Sequence, residues 1–98
     1  MSLSNSQRRY LRGLAHDLKP VILVGTKGVT EALIQEFSLA LDHHELVKVR
    51  IPAEDRSEFA AHATQLAEAT KSETVQTIGR TAVYFRRNAE KPVIALPR

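Results

Sequence analysis

The sequence predicts an α/β fold: a two-layer domain built on a mixed sheet of about four strands, in the order α-β-α-β-α-β-β. Three observations predict it. Short runs rich in valine and isoleucine alternate with longer stretches of helical periodicity, as in "VILV" followed by "TEALIQEFSLALDH". A strand that follows a helix, itself preceded by a strand, calls for a parallel crossover. Finally, "TVQTI" and "TAVYF" flank Gly79-Arg80, the pattern of an antiparallel hairpin. A length of 98 residues suits a single domain spanning 1–98, with one modest core.

The first element reads as a helix. Ser4 and Gln7 have capping-box spacing, and Leu11, Leu14, Ala15 and Leu18 form one apolar stripe that Pro20 ends. Val21 to Val24 is too short for a helix and apolar on both faces, which predicts an interior strand. A second helix runs from about Thr30, its N-cap, to His43, burying Leu33, Ile34, Phe37, Ala40 and Leu41. "ELVKVRIP" then alternates, with Val47, Val49 and Ile51 inward and Lys48 and Arg50 outward. Asp55 caps a third helix that buries Phe59, Ala63, Leu66 and Ala67. In the hairpin, Val83 and Phe85 share one face and Tyr84 and Arg86 the other, which predicts an exposed Tyr84. The two prolines of "KPVIALPR" limit the tail to an edge segment.

Composition narrows the function classes. No window approaches the ~20 apolar residues of a membrane span, and the absence of cysteine removes disulfides and thiolate metal sites. A cytoplasmic location is the expectation that follows. The net charge of +3 conceals a segregation: residues 1–30 carry +4, residues 31–70 carry −5 and residues 71–98 carry +4. A fold that joins the two ends would make one basic face.

The turn Gly25-Thr26-Lys27-Gly28 links a strand directly to a helix. Glycines at both ends permit unusual backbone angles and close approach. Successive amides can then form a concavity for an anion, next to a helix N-terminus and a lysine charge. The nucleotide-binding fingerprints are absent, but GxxG is the element with which KH domains clamp an RNA backbone. A tight turn with a purely steric need for glycine explains the same residues. On the first helix Arg8, Arg12, His16 and Arg9 fall along one flank, either as a phosphate-facing ridge or as a solvated surface. Catalysis finds no support. His43 and His44 are adjacent and so point about 100° apart on a helix, and no serine stands in a nucleophile-elbow pattern. No catalytic residue, metal or cofactor is expected.

Longer motifs sharpen this picture. "LRGLAH-LKP", "GxxGVTEALI", "HHELVKV" and the terminal "IGRT" and "LPR" closely resemble, in register, the CRM domain, named for chloroplast RNA splicing and ribosome maturation. The single-domain bacterial YhbY-like form is the most similar. The resemblance implies an RNA-binding domain related in fold to the C-terminal domain of bacterial initiation factor three. It also implies a partner in ribosomal RNA of large-subunit precursors, and a role as an assembly factor. The family's loop maps onto Gly25, Thr26, Lys27 and Gly28, its basic first helix onto Arg8, Arg12 and Lys19, and its strand-end arginine onto Arg86. Two positions depart from the pattern: the loop lysine precedes the second glycine rather than following the first, and Phe85 replaces a tyrosine. The alternative function is an adaptor on ribosomal particles whose main contact is with protein.

Overall fold

The computed structural model describes residues 3–98. Its element order is α1 (Asn5–Ala15), β1 (Ile22–Leu23), α2 (Glu31–His44), β2 (Leu46–Arg50), α3 (Arg56–Thr70), β3 (Glu73–Ile78) and β4 (Thr81–Phe85). The strands form one sheet in the order β1-β2-β4-β3. β1 pairs parallel with β2, while β4 lies antiparallel to both β2 and β3. The expected mixed sheet of four strands is present, with β4 inserted between the two strands that α3 connects.

Each helix start follows its cap. Ser4 accepts from the Gln7 N–H and Gln7 returns the bond to Ser4, a complete capping box. Thr30 accepts from the Leu33 N–H at 3.1 Å, and Asp55 from the Glu58 N–H at 2.8 Å. These bonds satisfy donors that the first turn leaves open.

Two apolar clusters lie on opposite faces of the sheet. Val47, Val49, Ala82 and Tyr84 pack with Phe37 and Leu41 of α2 and with Phe59, Ala63 and Leu66 of α3. Leu46, Val75, Val83 and Phe85 pack with Leu11 and Ala15 of α1 and with Ile94 and Leu96 of the tail. The helices are therefore split between both faces, not gathered in the single layer expected.

Three further expectations change. α1 ends at Ala15, a turn before Pro20, and Leu18 lies beyond the helix, partly exposed. β1 is an edge strand and not an interior one: Ile22 and Val24 are buried, whereas Val21 and Leu23 are about 60% exposed. Its continuous apolar run is thus half solvated. Tyr84, expected outside, is fully buried; its ring meets Phe37 edge-on at 5.0 Å, and its hydroxyl donates to the Ala63 carbonyl at 2.8 Å. Burial pushes the Tyr84 phenol well above its ordinary value. Lys48 lies on the opposite face, beside Val83, so it shares no surface with Tyr84.

The tail is held by a carboxylate. Glu45 caps α2 with φ of +61°, an unfavourable angle for a residue with a Cβ, and is fully buried. Its Oε1 accepts from the Val93 and Ile94 N–H groups at 2.8 and 2.7 Å, and its Oε2 from the Asn88 N–H at 2.7 Å. Burial alone would push this carboxyl up. The three N–H donors, with the charge of Arg87, outweigh that and hold it below the ordinary glutamate value.

Candidate nucleic-acid interface

β1 and β2 run parallel, so the chain leaves both at the same end of the sheet. Leu23 pairs with Arg50, Arg50 with Thr81, and Thr81 with Ile78. This end gathers the 25–28 turn, the start of α3 and the 79–80 hairpin.

The turn is closed by the Gly28 N–H donating to the Gly25 carbonyl at 3.0 Å. Thr26 and Lys27 stand at its exposed tip, and their N–H groups meet no intrachain acceptor among the described residues. Gly28 has φ of +74°, which explains its glycine conformationally. Its Cα hydrogen side faces His62 of α3, whose ring lies 3.7 Å from where a Cβ would sit. Gly25 differs: its φ is not positive, and a Cβ there would meet nothing within 4 Å. Neither backbone angle nor internal packing asks for glycine at 25. What its missing side chain leaves is bare, accessible backbone.

The electrostatics favour an anion at the turn's tip over one deeper at the helix. Thr30 already caps α2, and the Glu31 carboxylate occupies its first turn, opposing a second negative charge there. Among the described residues the ion pairs are Arg8–Glu73 and Arg86–Asp42, which leaves Lys27 without a carboxylate partner.

The basic side chains expected to join the turn divide into two groups. Arg8 donates to the Thr74 carbonyl at 2.7 Å and to Glu73 at 3.1 Å, at the far end of the sheet from the turn. Arg86 binds the Thr70 carbonyl, the Ser38 carbonyl and hydroxyl, and Asp42. It ties the ends of α2 and α3 to β4. Arg12 and Lys19 are exposed, with Arg12 at the edge of α1 facing the open part of the sheet. Arg50, exposed beside Leu23, is a cation on the turn's own end of the sheet. Alternation in "VKVRI" had placed Arg50 outward; its nearness to the turn depends on the β1–β2 register, which no local pattern encodes.

The CRS1 / YhbY (CRM) domain model matches residues 3–86. This chain belongs to the CRM domain family. It is 41% identical over 97 residues to a Haemophilus influenzae protein named "RNA-binding protein", covering 99% of this chain and 97% of that one. It is 36% identical to the Bacillus subtilis "Probable RNA-binding protein YqeI", covering 97% and 99%. The solution structure of Staphylococcus aureus SAV1595 superposes with a TM-score of 0.82 at 38% identity, over 98% of this chain and 100% of that one. In this chain the GxxG turn lies where β1 meets α2, and among the described residues its tip carries two amides without an acceptor and a lysine without a carboxylate partner.

Proposed function

We propose that this protein binds RNA through the backbone of the 25–28 turn and acts, without catalysis, as a cytoplasmic assembly factor on large-subunit ribosomal RNA precursors. The observation that carries the RNA reading is the turn itself. Two exposed N–H donors, a Gly25 that nothing inside the fold requires, and a free Lys27 together make a phosphate cradle. Relatives that match nearly the whole chain and are named RNA-binding proteins support the RNA reading, not the choice of site. The ribosomal assignment rests on the family resemblance. Arg12 and Lys19 add long-range attraction, whereas Arg8 and Arg86 contribute by bracing the fold around the site.

The test is the double variant Thr26→Asp with Lys27→Asp. It keeps both glycines and places carboxylates where phosphate must sit. Melting should match the parent, while affinity for large-subunit ribosomal RNA should fall at least ~10-fold, the effect of 1.4 kcal/mol. Undiminished affinity in the folded variant would remove the turn from the site. In a gradient the parent should travel with large-subunit particles at low salt and leave them as salt rises.

One observation favours the second reading, an adaptor on ribosomal proteins. Leu14, Leu18, Val21 and Val93, all partly or largely exposed, border a groove of about 410 Å³ beside the β1 edge. Binding through that groove would depend weakly on salt, in contrast to the steep loss expected of phosphate contacts.

A further inference from the structure

α1 covers only one end of its sheet face, over Leu46, Val75 and Phe85. Towards the hairpin the face stays open, and a depression of about 290 Å³ lies between α1 and strands β3 and β4. That volume is at the small end of the ~300–1,000 Å³ typical of small-ligand sites. Ala15, Val83 and Ile78 give it apolar surface. Gln76 and Thr81 bring an amide and a hydroxyl, neither engaged with another side chain or backbone group among the described residues. Arg12, His16 and Lys48 stand around it, and no carboxylate lines it.

Gln76 reaches this site through an irregularity. The β3–β4 register runs Thr74 to Tyr84 and then Gln76 to Val83, skipping Val75. Strict alternation would send Val75 and Gln76 to opposite faces. The bulge instead lets Val75 enter the α1-side core while Gln76, opposite Val83, turns to that same face. A bulge breaks the ladder locally and re-aims side chains, commonly beside functional sites.

We propose that this depression takes one unpaired nucleotide of the bound RNA, its base against Ala15, Val83 and Ile78 and its edge read by Gln76 and Thr81. Arg12 meets a flanking phosphate, and Lys48, whose ammonium donates to the Leu18 carbonyl at 2.9 Å, adds positive charge beside it. Gln76 offers both a donor and an acceptor, the complement of a base edge. Single-stranded RNA is the class indicated, because a base must leave its helix for a pocket to enclose it. The position fits a strand that also occupies the turn. Thr81 lies two strand spacings from Leu23, ~10 Å, with Arg50 exposed between them and Gly25 two residues beyond Leu23. The inference rests on the RNA-binding reading above and adds to it the strandedness and a base contact.

The experiment titrates the parent, Gln76→Val and Thr81→Val with single-stranded RNA octamers of each base, a duplex of equal length, and nucleoside monophosphates, at fixed salt. Both variants place valine, a residue favoured in strands, on partly exposed strand positions, and melting curves check folding. The parent should prefer single strands, with one base at least ~5-fold favoured. Gln76→Val should lower affinity for that octamer ~5- to 10-fold and flatten the base preference, leaving duplex affinity and salt slope unchanged. A folded Gln76→Val with the parent's affinity and base preference would overturn the pocket and leave the RNA reading standing. A parent that binds none of these RNAs would overturn both. A monophosphate that binds as tightly as the octamer would overturn the assignment to an RNA strand.

Discussion

Replacing Glu45 with Gln removes a charge and one acceptor while keeping the shape. Oε1 can still accept from Val93 and Ile94, but the new amide nitrogen faces the Asn88 N–H, donor against donor. Hydrogen bonds to a charged group contribute about 1.5–3 kcal/mol and neutral ones about 0.5–1.5. Losing one and weakening two costs about 4–5 kcal/mol, offset in part because a buried charge no longer needs desolvating. A net loss of ~2–3 kcal/mol lowers Tm by roughly 10 °C for a domain of this size. The same carboxylate sets a pH dependence. Its folded value lies below the ordinary one, so its contribution is complete above ~4.3 and disappears as pH falls through the folded value. Parent and Glu45→Gln melting temperatures, followed by circular dichroism from pH 7 to 3, should therefore differ most at neutral pH and converge in acid, where protonated Glu45 resembles Gln. Curves that run parallel, or a neutral-pH difference under ~3 °C, would refute the carboxylate as the clamp on the tail.

The two glycines of the turn should separate. Gly28→Ala forces a Cβ into φ of +74° and should cost about 1–2 kcal/mol of stability, whereas Gly25→Ala should melt like the parent and weaken RNA binding several-fold in the same titration. The arginines of α1 should separate in the same way. Arg8→Gln loses its bonds to Thr74 and Glu73 and should cost about 1–2 kcal/mol with an unchanged salt slope; Arg12→Gln should stay within ~0.5 kcal/mol in stability and reduce the slope by about 0.7–0.9.

What the chain spells out locally, it shows in sequence. The caps at Ser4, Thr30 and Asp55, the alternation of "LVKVRI" and the turn at Gly79 each depend on neighbours within a few residues. The inward stripes of α2 and α3 follow the helical period, so Phe37, Leu41, Phe59, Ala63 and Leu66 were legible as core. The misread positions all depend on distant partners. "VILV" is apolar throughout whether its strand is interior or edge, and β1 became an edge because β4 took the other side of β2. Tyr84 shares its strand face with Ala82, and only the arrival of α2 and α3 makes that face interior. Arg8 and Arg86 look like any surface cation in sequence; Glu73, 65 residues from Arg8, and Asp42, 44 residues from Arg86, decide otherwise. The turn was legible as a motif. The depression beside it was not, because a bulge is a relation between two strands.

The strand order also governs how the chain can fold. β2 and β3 are never hydrogen-bonded to each other; β4, the last strand in the chain, fills the space between them. Until residues 81–85 arrive, β2 has only the two-residue β1 as a partner, and β3 has none. β3 and β4 form a local hairpin, so the sheet is completed when that hairpin docks its β4 edge against β2. That docking joins distant segments, the topology for which loop-closure entropy slows folding. A nascent chain halted before β4 leaves one edge of β2 and both edges of β3 unpaired, the form in which β-rich intermediates associate wrongly. Completion of the sheet thus waits on Thr81–Phe85, whose two edges meet β2 and β3.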